Sequence, residues 1–196
     1  MDIKEIKRLR ELTGVGMTDA KKALTESNGD FDTALAAMRK KGLTKAEKSS
    51  EREARVGVIG SYVHDNRIGV LIEVNCETDF VARNEIFTNL VKDLTMHIAA
   101  SAPEFVNSDD ITEEEKKRVK AEFSEKAKAE KKSADMVEKI VEGQMAKYFA
   151  EKTLLDQPFV KNPDQTVGEF VKEHIAKLGE NIVIRRFTRM ALGEVA

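Results

Sequence analysis

Val56-Gly57-Val58-Ile59-Gly60-Ser61-Tyr62-Val63-His64, then Asp65-Asn66-Arg67, then Ile68-Gly69-Val70-Leu71-Ile72-Glu73-Val74-Asn75-Cys76 is the stretch on which the fold turns. Two β-rich runs around a short Asn-containing loop predict a hairpin. Successive strand side chains point to opposite faces, so Val70, Ile72 and Val74 share one apolar face. Downstream, Asn84 can cap a helix whose Phe87, Leu90, Val91, Leu94 and Ile98 form a buried stripe, with Pro103 marking its end. Ile182 to Met190 reads as a last strand carrying Arg185, Arg186 and Arg189. A small antiparallel sheet packed with helices, an α+β fold, is the expectation for residues 56–196.

Upstream the period changes. Ile3, Ile6, Leu9 and Leu12 mark a short helix that Thr13-Gly14-Val15-Gly16 breaks. Ala20, Ala23 and Leu24 mark a second helix. Asn28-Gly29-Asp30 is a turn, and Asp30 can cap a third helix lined by Phe31, Ala34, Leu35 and Met38, with Gly42 as its C-cap. Residues 1–42 thus read as a three-helix module. Residues 43–55 read as a charged linker and domain boundary, although its Lys, Glu, Arg and Ala also favour helix.

Between the two parts of the core lies an insertion at about 111–152. Thr112 and Glu115 form a capping box, and a very charged helix runs to about Lys131 with Val119 and Phe123 as nearly its only large apolar residues. Ser133 can cap a partner helix striped by Met136, Val137, Ile140, Val141 and Met145. The pair predicts a projecting helical hairpin. Leu154 to Val160 reads as an extended connector, and Thr166 with Glu169 forms a second capping box opening a helix that ends at Gly179.

Composition narrows the function classes. The 196 residues are 41% hydrophobic and 35% charged, with 33 Lys+Arg against 35 Asp+Glu and a net charge of -2. A general phosphate-backbone binder would carry a basic excess. The basic run Lys116, Lys117, Arg118, Lys120 lies between Glu115 and Glu122, and Arg185, Arg186 and Arg189 stand in a chain with no basic excess, so no direct nucleic-acid contact is expected. Cys76 stands alone, which leaves no disulfide framework and no multi-cysteine metal site. No apolar run approaches membrane-spanning length, and the start lacks a signal-peptide core. A soluble cytoplasmic protein that contacts no membrane is expected.

Catalytic and metal constellations are weak. His64, His97 and His174 lie far apart and read as turn, helix face and helix surface. Cys76 ends an apolar strand and reads as a buried thiol. Gly14-Val15-Gly16 lacks the Gly-Lys-Ser/Thr of a phosphate loop. No cofactor and no metal site are expected. Thr78-Asp79-Phe80-Val81 is different, because it joins the apolar strand to the following helix. One reading makes Thr78 or Asp79 a local cap, with Phe80 and Val81 entering the core. The other makes Phe80 an exposed anchor flanked by a carboxylate and suited to a partner's pocket.

Glu73-Val74-Asn75-Cys76-Glu77-Thr78-Asp79-Phe80-Val81-Ala82 resembles a signature of the bacterial elongation factor Ts family. Leu12 to Met17 followed by Asp19 to Leu24 resembles the family's other signature. Met96 to Ala100, Gln157 to Val160 and Gly179 to Arg186 also match, so the resemblance covers nearly the whole chain in order. It implies a guanine nucleotide exchange factor for elongation factor Tu, not an enzyme in the covalent sense. It implies that residues 1–42 form a ubiquitin-associated-like module that docks on the partner. It implies further that Thr78, Asp79, Phe80 and Val81 dislodge the partner's Mg²⁺, with Phe80 entering a pocket and Asp79 holding polar groups. Longer members have two core subdomains, whereas this chain supplies one and resembles the short form. A noncovalent homodimer through the apolar strand face and the final strand would restore the missing surface. The rival classes are a ubiquitin-associated-like adaptor and a nucleic-acid-associated protein.

Overall fold

The expected hairpin forms. In the computed structural model, which describes residues 2–129 and 134–194, the elements begin with α1 (Ile3–Thr13), α2 (Met17–Glu26) and α3 (Phe31–Ser49). Next come β1 (Val56–His64), β2 (Ile68–Cys76), α4 (Asp79–Ala82) and α5 (Glu85–Ser101). After them follow α6 (Glu113–Ala129), α7 (Ala134–Lys152), β3 (Pro158–Phe159), β4 (Asn162–Thr166), α8 (Val167–Leu178) and β5 (Val183–Ala191). β1 and β2 pair antiparallel from Val56 opposite Cys76 to His64 opposite Ile68. Asp65 and Asn66 both take positive φ, 50° and 55°. That is the φ pattern of a type I′ turn, whose twist matches the flanking strands.

β5 pairs antiparallel with the other edge of β2, giving the order β1-β2-β5. Val70, Ile72, Val74 and Cys76 of the central strand are buried on the inner face. α5 lies across that face and buries Phe87, Leu90, Val91, Leu94 and Ile98 against it, with Asn84 Oδ1 accepting from the Ile86 N–H at 2.8 Å as the cap. Gly60 allows this approach: a Cβ there would stand 2.4 Å from Val91 Cγ1. α8 adds Val167, Val171 and Ile175 to the same core. Both halves of its expected capping box form, and Gly179 closes it at φ 77°. The connector 154–160 is only partly extended. Leu154–Asp156 makes a 3₁₀ turn, and Pro158–Phe159 enters a two-stranded ribbon with β4.

α1, α2 and α3 enclose a small core of Ile6, Leu9, Ala20, Ala23, Leu24, Ala34 and Met38, as a ubiquitin-associated-like module would. Their boundary with the rest needs correction. Gly42 is not a C-cap, and 43–55 is not linker throughout, because α3 continues through Gly42 to Ser49. Helix-favouring residues make this possible, and tertiary packing makes it worthwhile. A Cβ on Gly42 would lie 3.3 Å from Ala176 Cβ on α8, Ala46 is buried in the main core, and Arg39 pairs with Glu173 at 3.3 Å. α3 is therefore a strut shared by both cores.

α6 and α7 form the expected hairpin. Val119, Ala127 and Val141 are buried along its seam, and Phe123 meets Tyr148 edge-on at 5.9 Å. Exposed pairs at helical spacing, Lys116–Glu113, Arg118–Glu115 and Lys126–Glu122, lace the outside. The Thr112 box is half made: Thr112 Oγ1 accepts from the Glu115 N–H at 3.2 Å, but the Glu115 carboxylate turns to Arg118. The expected Ser133 cap lies outside the described residues.

One histidine departs from expectation and another lies on the inner face of its helix. His97, expected on a helix face, is fully buried, and His174, expected on a helix surface, is nearly so; His64 ends β1 beside Tyr62. His97 Nδ1 accepts from the Val160 N–H at 3.2 Å, so its proton sits on Nε2 and is donated to Gln157 Oε1 at 2.8 Å. Gln157 in turn donates to the carbonyls of Ser101 and Glu151. Desolvation lowers the pKa of both rings, which favours the neutral form in the folded state. Stability from these groups is therefore complete above the unfolded value of 6.5 and is lost as pH falls toward the depressed folded values. The denaturation midpoint should fall between pH 7 and pH 5.5, a window (roughly) above carboxylate titration. A flat midpoint across that range would show that neither imidazole is held neutral.

Candidate functional site

Cys76 ends the buried face of β2, and the chain must turn there because β2 has run out of sheet. Its thiol is buried and donates to the Thr78 carbonyl at 3.3 Å. Burial first, and the Glu180 carboxylate second, push the thiol pKa up. A raised pKa and an enclosed sulfur make Cys76 an inert core residue.

The four residues singled out by sequence form one unit. Thr78 is the N-cap of the single-turn helix α4, its Oγ1 accepting from the Val81 N–H at 3.4 Å. Val81 is half-buried against the main core and Ala82 is buried. Asp79 and Phe80 face outward on the same turn, because residues on a helix step by about 100°. Phe80 is 90% exposed. Each of the two readings left open by the sequence is therefore half right. Thr78 does cap locally and Val81 does enter the core, but Phe80 does not. A large aromatic ring stands in solvent at the end of a capped turn, with the Asp79 carboxylate beside it.

Residues that the sequence reading passed over hold this turn. One oxygen of the Glu180 carboxylate accepts from the Glu77 N–H at 3.1 Å and the Thr78 N–H at 3.0 Å. The other accepts from the Thr78 hydroxyl at 2.6 Å. The Glu77 carboxylate answers by accepting from the Asn181 N–H and pairing with Arg52 Nε at 3.3 Å. Arg52 donates to the Gly179 carbonyl at 3.0 Å, and the Asn181 amide donates to the carbonyls of Ser50 and Arg52. The entry to α4, the C-terminus of α8 and the exit from α3 meet in one polar node. More than a hundred residues separate Glu77 and Thr78 from Glu180, so no local spacing announced it. The one available signal was a carboxylate and an amide, Glu180-Asn181, placed directly after a helix-ending glycine.

Other candidates recede. Among the described residues no group of three His, Cys, Asp or Glu could hold a metal ion, and no helix is long and apolar enough to cross a membrane. Several bases once weighed for nucleic acid are committed to acids: Arg186 to Glu73 at 2.8 Å, Arg189 to both Glu194 oxygens, Arg118 to Glu115.

A family model described as "Elongation factor TS" matches residues 39–194. The chain is 49% identical over 191 residues to an elongation factor Ts of Geobacter sulfurreducens, covering 97% of this chain and 88% of that one. It is 48% identical over 189 residues to one of Thermodesulfovibrio yellowstonii (96% and 94% covered) and 50% identical over 190 residues to one of Syntrophus aciditrophicus (96% and 94%). With the hairpin, the capped tip and the short single core in their expected order, the chain belongs to the elongation factor Ts family.

Proposed function

We propose that this protein is the guanine nucleotide exchange factor of elongation factor Tu in the cytoplasm, and that the Thr78–Val81 tip is its working element. The observation that carries this is Phe80: a ring 90% exposed on a capped turn whose neighbours Val81 and Ala82 are anchored in the core. Exposed aromatic surface of this kind is costly in the free protein and valuable in a pocket. Burying the ring in the partner is worth about 2 kcal/mol, or roughly thirtyfold in affinity. Asp79 brings a carboxylate to polar groups near the partner's Mg²⁺ site. In GTPases of this kind the ion bridges phosphate oxygens and protein. A tip that displaces it weakens nucleotide binding.

Exchange then follows from linkage. A factor that lowers nucleotide affinity is itself bound less tightly, by the same factor, when nucleotide returns. The tip drives GDP out, and incoming nucleotide drives the tip out. No bond is made or broken, so the chain acts as an exchange factor without covalent catalysis. Residues 1–42 supply a second contact with the partner.

The apolar strand face expected to mediate a homodimer, that of Val70, Ile72 and Val74, is covered by α5, and it is the outer face of the sheet that supports this further element of the reading, a noncovalent homodimer. By register Ile59 and Val63 of β1, Leu71 of β2 and Met190 of β5 all project away from the core. Ile59 is 71% exposed, Leu71 54% and Met190 70%. β1 and β5 are the edges of this sheet. Two copies stacked on this face around a twofold axis would cover each other's apolar surface. Cys76 lies on the opposite, buried face, so the association is noncovalent.

Two measurements test the proposal. Phe80→Ala should keep the wild-type thermal midpoint, since the ring is in solvent, while release of labelled GDP from elongation factor Tu slows by at least about tenfold. An adaptor would leave GDP release unchanged with or without Phe80. Sedimentation equilibrium at micromolar concentration should give a dimer mass under full reduction, and Leu71→Lys should give a monomer. A monomeric mass for an exchange-active wild-type sample refutes the dimer.

A further inference from the structure

The reading of the tip as the exchange element raises a physical question, on which this inference rests. α4 is one turn long, and an isolated turn of helix is not stable in water. The side chains of Phe80 and Asp79 are exposed and lie outside the core. Val81 and Ala82 anchor its far end. Its entry is held by polar contacts, and those converge on one carboxylate.

We propose that Glu180 is the positioning residue of the tip. Three donors meet its two oxygens: the Glu77 N–H, the Thr78 N–H and the Thr78 hydroxyl. Hydrogen bonds to an ionised acceptor are the strong ones. A threonine hydroxyl has one hydrogen, and Thr78 commits it to Glu180. Its lone pairs are thereby turned toward the Val81 N–H, which they accept as the cap of α4. Glu180 thus acts through Thr78 on the turn that carries Phe80. The position of Glu180 needs this explanation. It follows Gly179 at the C-terminus of α8, the negative end of the helix dipole, where a carboxylate is disfavoured. The three donors from the tip offset that.

The carboxylate is itself held. Asn181 donates its backbone N–H to the Glu77 side chain, so each acidic residue grips the backbone of the other's segment. Arg52 bridges Glu77 and the Gly179 carbonyl. The result is a tip presented in its binding geometry before the partner arrives, which lowers the ordering cost of insertion.

A double-mutant cycle tests the assignment on the full-length chain. Glu180→Ala, Phe80→Ala and the double variant are compared for release of labelled GDP from elongation factor Tu, alongside thermal midpoints and amide hydrogen exchange. Glu180→Ala alone should slow release by about tenfold. In the Phe80→Ala background it should add almost nothing, because its effect passes through the ring. Amides 77, 78 and 81 should lose protection while amides of β2 and α5 keep theirs. Glu180→Gln, whose amide oxygen can still accept from the two backbone N–H groups, should recover most of the rate; if the alanine variant does not fold, Thr78→Val, which removes the hydroxyl that Glu180 orients, replaces it in the cycle with the same non-additive expectation. Wild-type release by Glu180→Ala, or losses that multiply in the double variant, would overturn the role of Glu180 while leaving the tip reading intact. Wild-type release by Phe80→Ala would instead overturn the tip reading itself.

Discussion

β2 is the strand hydrogen-bonded on both sides of the three-stranded sheet, and its inner face is where the molecule's apolar surface is concentrated. Val70, Ile72, Val74 and Cys76 alternate onto that face, and α5 closes over them with a stripe of its own. Everything that matters for the candidate site hangs from this contact. The strand ends buried at Cys76, the helix begins capped at Asn84, and the seven residues between must bridge two fixed points. That constraint leaves room for a single turn of helix with one side anchored and the other in solvent. Large-to-small changes at Phe87 or Leu94 would cost several kcal/mol, roughly 3–5 for a buried aromatic, and would loosen the tip along with the core.

The division of labour follows from burial. The tip is held by Thr78, Val81 and Ala82, while the side chains available to a partner, Asp79 and Phe80, stand in solvent. A surface organised this way can meet a binding pocket without unfolding anything. The same separation holds across the sheet, where the inner residues make the core and Ile59, Leu71 and Met190 leave an apolar outer face.

α3 ties the N-terminal module to this arrangement. It contributes Ala34 and Met38 to the small core and Ala46 to the large one. It lies close on α8 at Gly42, and its exit meets the tip's entry through Arg52 and Asn181. The module is thus set relative to the tip by a helix and a polar node, not by a slack tether.

Patterns within about ten residues were legible in the chain. Alternation predicted β1 and β2, the run Ile182 to Met190 read as the strand that became β5, the helical period predicted α1, α2, α5 and α8, and Thr166 with Glu169 announced its own capping box. The motif Thr78-Asp79-Phe80-Val81 could be marked as unusual, and its family resemblance read, from sequence alone. Which of its side chains faces water could not, because exposure depends on the sheet and helices packed beneath. Gly42 looked like a stop and is a point of close packing, since only the presence of Ala176 opposite gives its missing side chain a use. His174 looked like a surface residue, and only the packing of α8 into the core buries it, while the distant Gln157 and Val160 supply the hydrogen bonds that let His97 be buried on its helix face. Glu180 carried no local signal of the role the structure gives it, beyond its place directly after a helix-ending glycine. Its partners lie more than a hundred residues away, and a carboxylate acquires its donors only when the folded chain brings two loops together.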